Sequence, residues 1–168
     1  MPDLRRICVY GGGNVGLMGA LADGALAHHG EVIGVIPQAL LDKELGHRRV
    51  SALHVVRSMH ERKQMMADLS AGFIALPGGF GTLEELFETL TWLQLSFHDK
   101  PVGLLNIHGF FDPLLGFIQQ MNLSGFLRPE HAELLLVENE MVPLLQRMRA
   151  FVPPAMEKWA EPPSPSAR

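Results

Sequence analysis

Short apolar runs alternate along this chain with longer amphipathic segments, and this alternation constrains the fold more than any other feature. Six runs have the length and character of buried strands, and they are 7–10, 32–36, 53–56, 73–76, 102–107 and 134–137. Five segments have helical period, and they are 17–27, 59–69, 83–95, 111–123 and 142–151. We therefore predict an α/β fold: a doubly wound, Rossmann-like parallel sheet with helices on both faces and a ligand site beyond the carboxyl ends of the strands.

The domain organisation follows from the length and the distribution of proline. The chain has 168 residues, of which 47% are hydrophobic and 19% charged, so it can bury one sizeable core. Five of the twelve prolines fall within 153–168. We predict a single nucleotide-binding domain over 1–152 and a proline-rich tail over 153–168.

Charge and cysteine content exclude several classes of function. Fourteen Lys and Arg against eighteen Asp and Glu give a net charge of −4, so we expect no partner that is a nucleic acid polymer. The one cysteine, Cys8, cannot form a disulfide within the chain, which is typical of a reducing compartment. The apolar run after Arg5 and Arg6 ends after four residues, which is too short for a secretory signal. No apolar run in the sequence approaches the roughly 20 residues that are needed to span a bilayer. We expect a cytoplasmic protein that has no membrane partner.

A first glycine loop follows the first predicted strand and opens a helix. Its residues are Gly11, Gly12, Gly13, Asn14, Val15 and Gly16. Such a backbone can approach a phosphate closely, so Gly11–Gly13 form a secondary candidate phosphate loop; a tight turn without a ligand is an equally good interpretation. A dinucleotide site also needs an acid about 20 residues later, where this chain has Pro37-Gln38, so a dehydrogenase is disfavoured.

A second glycine loop follows the predicted strand 73–76. It reads Pro77-Gly78-Gly79-Phe80-Gly81-Thr82 and leads into a helix that carries Glu84 and Glu85. No Gly-Lys-Ser/Thr follows, so it is not a Walker loop, and a mononucleotide is the ligand that fits best. In the alternative interpretation, Thr82 is a helix N-cap and Glu85 its capping-box partner.

A cluster of charges follows the predicted strand 53–56. Ser58 and Glu61 have the spacing of a capping box, which would put Arg62 and Lys63 just inside a helix. Cations are mildly unfavourable there, so we expect an anionic ligand or a carboxylate beside them; a solvated charged turn is the alternative. The eight histidines lack the H-E-x-x-H spacing, and we expect no metal site.

Three motifs in this order resemble those of the Lonely Guy family: GGGNVGLMG at 11–19, SMHERK at 58–63 and PGGFGTLEE at 77–85. The likeness runs from about residue 10 to residue 151, and it includes 35–37, 91–92, 100–103 and 111–114. Members are cytokinin riboside 5'-monophosphate phosphoribohydrolases, which are often labelled lysine decarboxylases. The resemblance implies hydrolysis of the N-glycosidic bond of a cytokinin or adenine nucleoside 5'-monophosphate, without a cofactor, by a homodimer or larger homo-oligomer.

The resemblance also implies site residues. Arg62 and Glu85 match the catalytic pair of the family. The implied substrate-binding positions are Glu44, Arg62, Lys63, Gly79, Phe80, Gly81, Thr82, Leu83, Glu84, Glu85 and Thr91. In such chemistry a carboxylate stabilises the oxocarbenium-like ribose and handles the attacking water, which is the role expected of Glu85. Arg62 would then hold the phosphate or orient Glu85.

The sequence departs from the family pattern at its start. Members open with a strand, a Cys-Gly-Ser loop and a helix, whereas here 7–10 runs directly into Gly11, so we expect the first strand-helix unit to be absent. Two other classes remain alternatives. One is a non-catalytic protein of the same fold that binds a nucleotide or molybdenum cofactor. The other is a pyridoxal phosphate decarboxylase, which would need a Schiff-base lysine that nothing in the sequence singles out.

Overall fold

The structure, a computed structural model, describes residues 4–10, 16–42 and 49–154. The strands are β1 (Cys8–Tyr10), β2 (Ile33–Pro37), β3 (Ala52–Val56), β4 (Phe73–Ala75), β5 (Val102–Leu105) and β6 (Leu135–Glu138). The helices are α1 (Leu17–Ala27), α2 (Gln38–Leu41), α3 (Met59–Leu69), α4 (Phe80–Gln94), α5 (Asp112–Leu123), α6 (Pro129–Ala132) and α7 (Met141–Ala150). A 3₁₀ turn, Ile107–Gly109, follows β5.

All the strands pair in parallel. One ladder has four strands in the order β1-β4-β5-β6, and β2 and β3 form a second ladder of two strands. Within the described ranges no hydrogen-bonded ladder joins β1 to β2, but α3 packs against both strands. The predicted α/β fold with a parallel sheet is therefore confirmed.

Helices cover both faces of the four-stranded ladder. On one face α3, α4 and α5 bury a cluster that includes Phe73, Leu86, Leu93, Leu104 and Phe111. On the other face α7 packs Leu144 and Met148 against Ile74, Leu105 and Leu136. At Gly103 a β-carbon would lie 3.1 Å from side-chain atoms of Leu144 and Met148, so the glycine lets α7 lie close to β5.

Two element boundaries differ from the sequence prediction near the carboxyl edge of the sheet. The predicted strand 102–107 ends at Leu105, because the buried Asn106 accepts a hydrogen bond from the backbone N–H of Phe111 at 2.8 Å and donates one to Asp112 at 2.7 Å. The helix predicted from residue 83 begins at Phe80 instead. The glycine-rich segment is therefore the first turn of α4 as well as a loop.

Further predictions concern the tail and the membrane. Pro153 and Pro154 are exposed and lie outside regular structure, and the remainder of the predicted tail, 155–168, lies outside the described residues. Within the described ranges, none of the helices combines the length and apolar character that crossing a membrane requires.

Candidate active site

The start of α3 is fixed by its own side chains. Ser58 is the N-cap, and its hydroxyl accepts a hydrogen bond from the backbone N–H of Glu61 at 3.1 Å. The Glu61 carboxylate accepts in return from the backbone N–H of Arg57 at 2.9 Å, one residue earlier than in the usual capping box. The helix therefore begins at Met59, and the predicted position of Arg62 and Lys63 just inside it is confirmed.

Arg62 and Glu85 are in direct contact across α3 and α4. Nη1 of Arg62 donates to Oε1 of Glu85 at 2.5 Å, and Nε of Arg62 donates to the carbonyl oxygen of Val35 in β2 at 3.2 Å. Only 7% of Glu85 is exposed. Two hydrogen bonds, through Nε and Nη1, thus fix the orientation of the guanidinium, and the second of them holds one carboxylate oxygen of a buried glutamate.

The burial of Glu85 changes its affinity for protons. Removal from water raises the pKa of Glu85 above that of an ordinary glutamate, and the charge and hydrogen bond of Arg62 oppose this rise without cancelling it. The nearby Glu84 also raises the pKa of Glu85, and Lys63 lowers it. A buried carboxyl whose pKa is shifted beside a specific cation is typical of functional sites.

Lys63 forms a second connection between α3 and α4. Its Nζ lies 2.6 Å from Oε1 of Glu84 and 2.9 Å from Oε1 of Glu88, and only 9% of the side chain is exposed. Burial alone would lower the pKa of Lys63, but the hydrogen bonds that Nζ donates to the two glutamates and their negative charges outweigh it, and the pKa is raised. The expected carboxylate partners of both cations are therefore present, and the interpretation as a solvated charged turn is wrong.

The glycine loop lies at the N-terminus of α4. Gly79 is the N-cap and has no side chain that could accept from the first backbone N–H groups, while Thr82 is buried inside the first turn. Since α4 begins at Phe80 with Gly79 as its N-cap, Thr82 is not the N-cap, and the interpretation of Thr82 and Glu85 as a capping box is wrong. A β-carbon on Gly78 would lie 2.2 Å from the Thr82 hydroxyl, whereas one on Gly79 or Gly81 would meet nothing within 4 Å. The loop is therefore tightly packed at Gly78 and open at Gly79 and Gly81.

The other predicted site residues occupy varied positions. Phe80 is 93% exposed beside the loop, and Leu83 packs against the core. Thr91 is exposed, and its hydroxyl donates to the carbonyl oxygen of Phe87 at 2.7 Å. Six residues along a helix separate Thr91 from Glu85 by about 9 Å and about 120° around the axis, so the fold of this chain does not bring these two together. Glu44 and Gly11–Gly13 lie outside the described residues.

Two contributions to the site were missed by the sequence analysis. Val35 lies in the segment 35–37 that the family likeness includes, but it contributes a backbone carbonyl oxygen, and no side chain there indicated a contact with Arg62. Glu88 had a signal: it lies four residues after Glu84 on the same face of α4, and two like charges at this spacing are unfavourable unless a cation lies between them. Lys63 is that cation.

The chain is similar to known proteins over most of its length. A family model described as "Possible lysine decarboxylase" matches residues 18–148. Cytokinin riboside 5'-monophosphate phosphoribohydrolases LOG5 and LOG1 of Arabidopsis thaliana are 45% identical over 150 residues and 44% identical over 145 residues. These alignments cover 89% and 86% of this chain, and 66% and 68% of the two relatives. LOG of Oryza sativa subsp. japonica is 44% identical over 145 residues, which cover 86% of this chain and 60% of that relative. The chain thus spans about two thirds of the length of the curated relatives it matches.

Proposed function

The chain belongs to the Lonely Guy family of cytokinin riboside 5'-monophosphate phosphoribohydrolases, and from that premise we propose that it hydrolyses the N-glycosidic bond of adenine or cytokinin nucleoside 5'-monophosphates. Water adds to C1' of the ribose as the bond to the base nitrogen breaks, so the products are the free base and ribose 5-phosphate. The observation that carries the proposal is the contact between Arg62 and the buried Glu85.

Glu85 is the proposed catalytic carboxylate. As the base departs with the electron pair of the broken bond, C1' and the ring oxygen acquire positive charge, which a carboxylate stabilises. The same group accepts a proton from the attacking water, the departing base takes a proton from the solvent, and Glu85 later returns its own proton to the solvent. A raised pKa supports this second role, because it makes Glu85 a stronger base than an exposed glutamate.

Arg62 is the proposed positioning partner of Glu85. Of the two roles implied by the resemblance, the hydrogen bonds to Glu85 and Val35 favour orientation of the carboxylate over capture of the phosphate. Because a guanidinium donates from several fixed directions, it can hold a strand carbonyl and a carboxylate at once.

The proposed phosphate site is the N-terminus of α4. The first backbone N–H groups of a helix and its dipole attract an anion, and Gly79 adds no side-chain cap that competes for them. The open space at Gly79 and Gly81 allows a phosphate to approach the backbone, and Phe80 lies exposed at the same edge. These features support Gly79–Thr82 as the residues that contact the phosphate.

The described lysines disfavour a pyridoxal phosphate decarboxylase. A Schiff-base lysine needs a neutral amine and hence a lowered pKa, but the pKa of Lys63 is raised by Glu84 and Glu88. Nζ of Lys100 donates to the carbonyl oxygen of Ala67 at 2.6 Å. The family description therefore does not fit the chemistry of these two side chains.

The proposal includes a homodimer. Three large apolar side chains on α5 and just beyond its end, Phe117, Leu123 and Phe126, are each more than half exposed. A second copy of the chain would remove this apolar surface from water, and closed two-fold symmetry is the commonest arrangement for such contacts.

The proposal is tested by incubating the purified protein with AMP, isopentenyl-AMP and adenosine, and then separating the products by chromatography. We expect free base from at least one monophosphate, and little from adenosine because it lacks the anion that the α4 N-terminus attracts. Equal rates with AMP and adenosine would contradict the phosphate site. Tight AMP binding without release of base would favour the non-catalytic alternative.

A further inference from the structure

The Lys63 cluster, which consists of Lys63, Glu84 and Glu88, lies beside the Arg62–Glu85 pair. Lys63 follows Arg62 directly on α3, and Glu84 precedes Glu85 on α4. The five side chains together comprise two cations and three carboxylates, so they carry one net negative charge when all are ionised. The charge balance around the proposed catalytic carboxylate therefore depends on residues that do not touch it.

Within the cluster the glutamates are not equivalent. The side chain of Glu84 is 54% exposed and that of Glu88 is 26% exposed, while Lys63 is buried. Glu88 is thus the more shielded of the two acceptors, and charges removed from water interact more strongly than exposed ones. Glu88 makes its described contact with α3 through Lys63, and the sequence motifs gave it no role.

We propose that Glu88 is a positioning residue for the Arg62–Glu85 pair: together with Glu84 it holds the Lys63 ammonium on α4 and so sets both the packing of α3 against α4 and the electrostatic balance around the Glu85 carboxylate. This inference rests on the proposed function, in which Glu85 meets the reacting ribose.

The other elements packed against α4 add little charge near Glu85. In the described part of the chain, the charged groups that act on Glu85 are Arg62 and Lys63 from α3 and Glu84 from α4 itself. Strands β1, β4 and β5 also pack against α4, and they contribute the buried Cys8 thiol and the apolar residues Phe73, Ala75, Val102 and Leu104. The Lys63 cluster is therefore the main adjustable source of charge beside the pair.

Two substitutions that break the same ion pair then have opposite electrostatic effects. Glu88→Gln removes a negative charge and leaves Lys63 less neutralised, so the pKa of Glu85 falls. Lys63→Met removes a positive charge and leaves Glu84 and Glu88 unopposed, so the pKa of Glu85 rises. In each variant we expect the titration midpoint of the Glu85 carboxyl to move by about 0.3 to 1 pH unit. If the substitutions only loosened the packing of α3 against α4, the midpoint would move in the same direction in both variants.

The experiment follows the carboxyl carbon of Glu85 by ¹³C NMR during a pH titration of the full chain labelled with ¹³C-glutamate. The Glu85 signal is assigned by its loss in Glu85→Gln. Glu88→Asp keeps the charge and is expected to stay within about 0.2 unit of the wild-type midpoint. Glu133→Gln, which changes an exposed glutamate remote in sequence, is the matched control and is expected to leave the midpoint unchanged.

The acid limb of kcat/KM for AMP is the second readout. It is expected to move in the same directions as the NMR midpoints, with kcat/KM at its plateau several-fold lower in Glu88→Gln and largely restored in Glu88→Asp. Midpoints that stay fixed in Glu88→Gln, or that move the same way in both variants, would overturn the inference. If AMP is not cleaved but the midpoints move in opposite directions, the proposed function fails and the charge arrangement stands. If Lys63→Met does not fold, the comparison of Glu88→Gln with Glu88→Asp still decides.

Discussion

Arg62 on α3 and Glu85 on α4 are 23 residues apart in the sequence, and their side chains meet at 2.5 Å. The same guanidinium also donates to the carbonyl oxygen of Val35 in β2. One side chain therefore links the two-stranded ladder to the helix that follows β4. Because β1 and β2 share no ladder in the described structure, this link and the packing of α3 connect the two sheets at the candidate site.

Replacement of Arg62 by lysine tests whether that geometry matters. A single ammonium is a point charge and does not reproduce the two directed hydrogen bonds, so we expect Arg62→Lys to lower kcat/KM for AMP by roughly 10²-fold. The free energy of unfolding is expected to fall by about 1 kcal/mol, as measured by urea denaturation. The matched control is Arg57→Lys, since Arg57 lies just before α3, is exposed and pairs with Glu61 in the first turn of that helix; it is expected to change neither quantity measurably. Wild-type activity in Arg62→Lys would remove the positioning role.

The two glycines of the α4 loop predict different consequences of adding one methyl group. At Gly78 the methyl would overlap the Thr82 hydroxyl, so Gly78→Ala is expected to lower the thermal midpoint. At Gly79 the methyl meets open space and the backbone is extended, so Gly79→Ala is expected to keep the wild-type thermal midpoint. The methyl would, however, crowd the phosphate, so we expect the same variant to raise KM for AMP roughly tenfold. Unchanged KM in Gly79→Ala would argue against a phosphate at this position.

His98 predicts that the protein loses stability in mild acid. Its Nδ1 accepts from the backbone N–H of Lys100 and its Nε2 donates to the carbonyl oxygen of Thr89, each at 3.1 Å, so the ring is neutral in the folded state. Burial lowers the pKa of His98, and the charge of Lys100 adds to this effect. Below about pH 6.5 the unfolded chain therefore binds more protons than the folded one. The free energy of unfolding decreases as the pH is lowered, by at most about 1.4 kcal/mol per pH unit for one proton.

Urea denaturation at a series of pH values between 7.5 and 5 measures this effect. We expect the free energy of unfolding to decline less steeply with acid in His98→Gln, because glutamine can donate and accept without titrating in this range. Part of the decline is expected to remain in this variant, because burial also lowers the pKa of His131. His54→Gln, at an exposed position of β3, is the control. A decline equally steep in wild type and His98→Gln would show that His98 is not its source.

The sequence predicted the regular elements best where local signals were complete. The bounds of α1 and α3 agree with those predicted from periodicity, and α3 also has its own capping residues. The start of α4 was missed because glycine has low helix propensity, and Gly79 and Gly81 therefore indicated a loop. The end of β5 was missed because Asn106 turns the chain through hydrogen bonds to residues five and six positions later, which periodicity does not detect.

The sequence singled out the residues of the candidate site, but it did not predict the contacts among them. The motifs singled out Arg62, Lys63 and Glu85, and the unfavourable position of the two cations predicted carboxylate partners. Which carboxylate meets which cation depends on how α3 packs against α4, and helix packing is set by side chains along both elements. The pairing of Lys63 with Glu88 could therefore be recognised only in the folded chain.

The exposed apolar side chains on α5 and just beyond it predict a specific change of assembly. Introducing a charge at Phe117, as in Phe117→Glu, is expected to convert the proposed dimer to a monomer, because an unpaired charge would be buried at the contact. Light scattering at micromolar concentration measures this change, and Gln119→Glu, at an exposed polar position of the same helix, is the control. A wild-type chain that is already monomeric under these conditions would contradict the homodimer.

The most direct measurement of the central claim is the rate of base release from AMP by Glu85→Gln, together with the affinity of the same variant for AMP. Glutamine keeps the size and an acceptor oxygen but neither stabilises positive charge nor accepts a proton from water. We predict a kcat lower by roughly 10²- to 10⁴-fold, with AMP binding by calorimetry within about threefold of wild type. A Glu85→Gln variant that releases base at nearly the wild-type rate would contradict the assignment of Glu85 as the catalytic carboxylate.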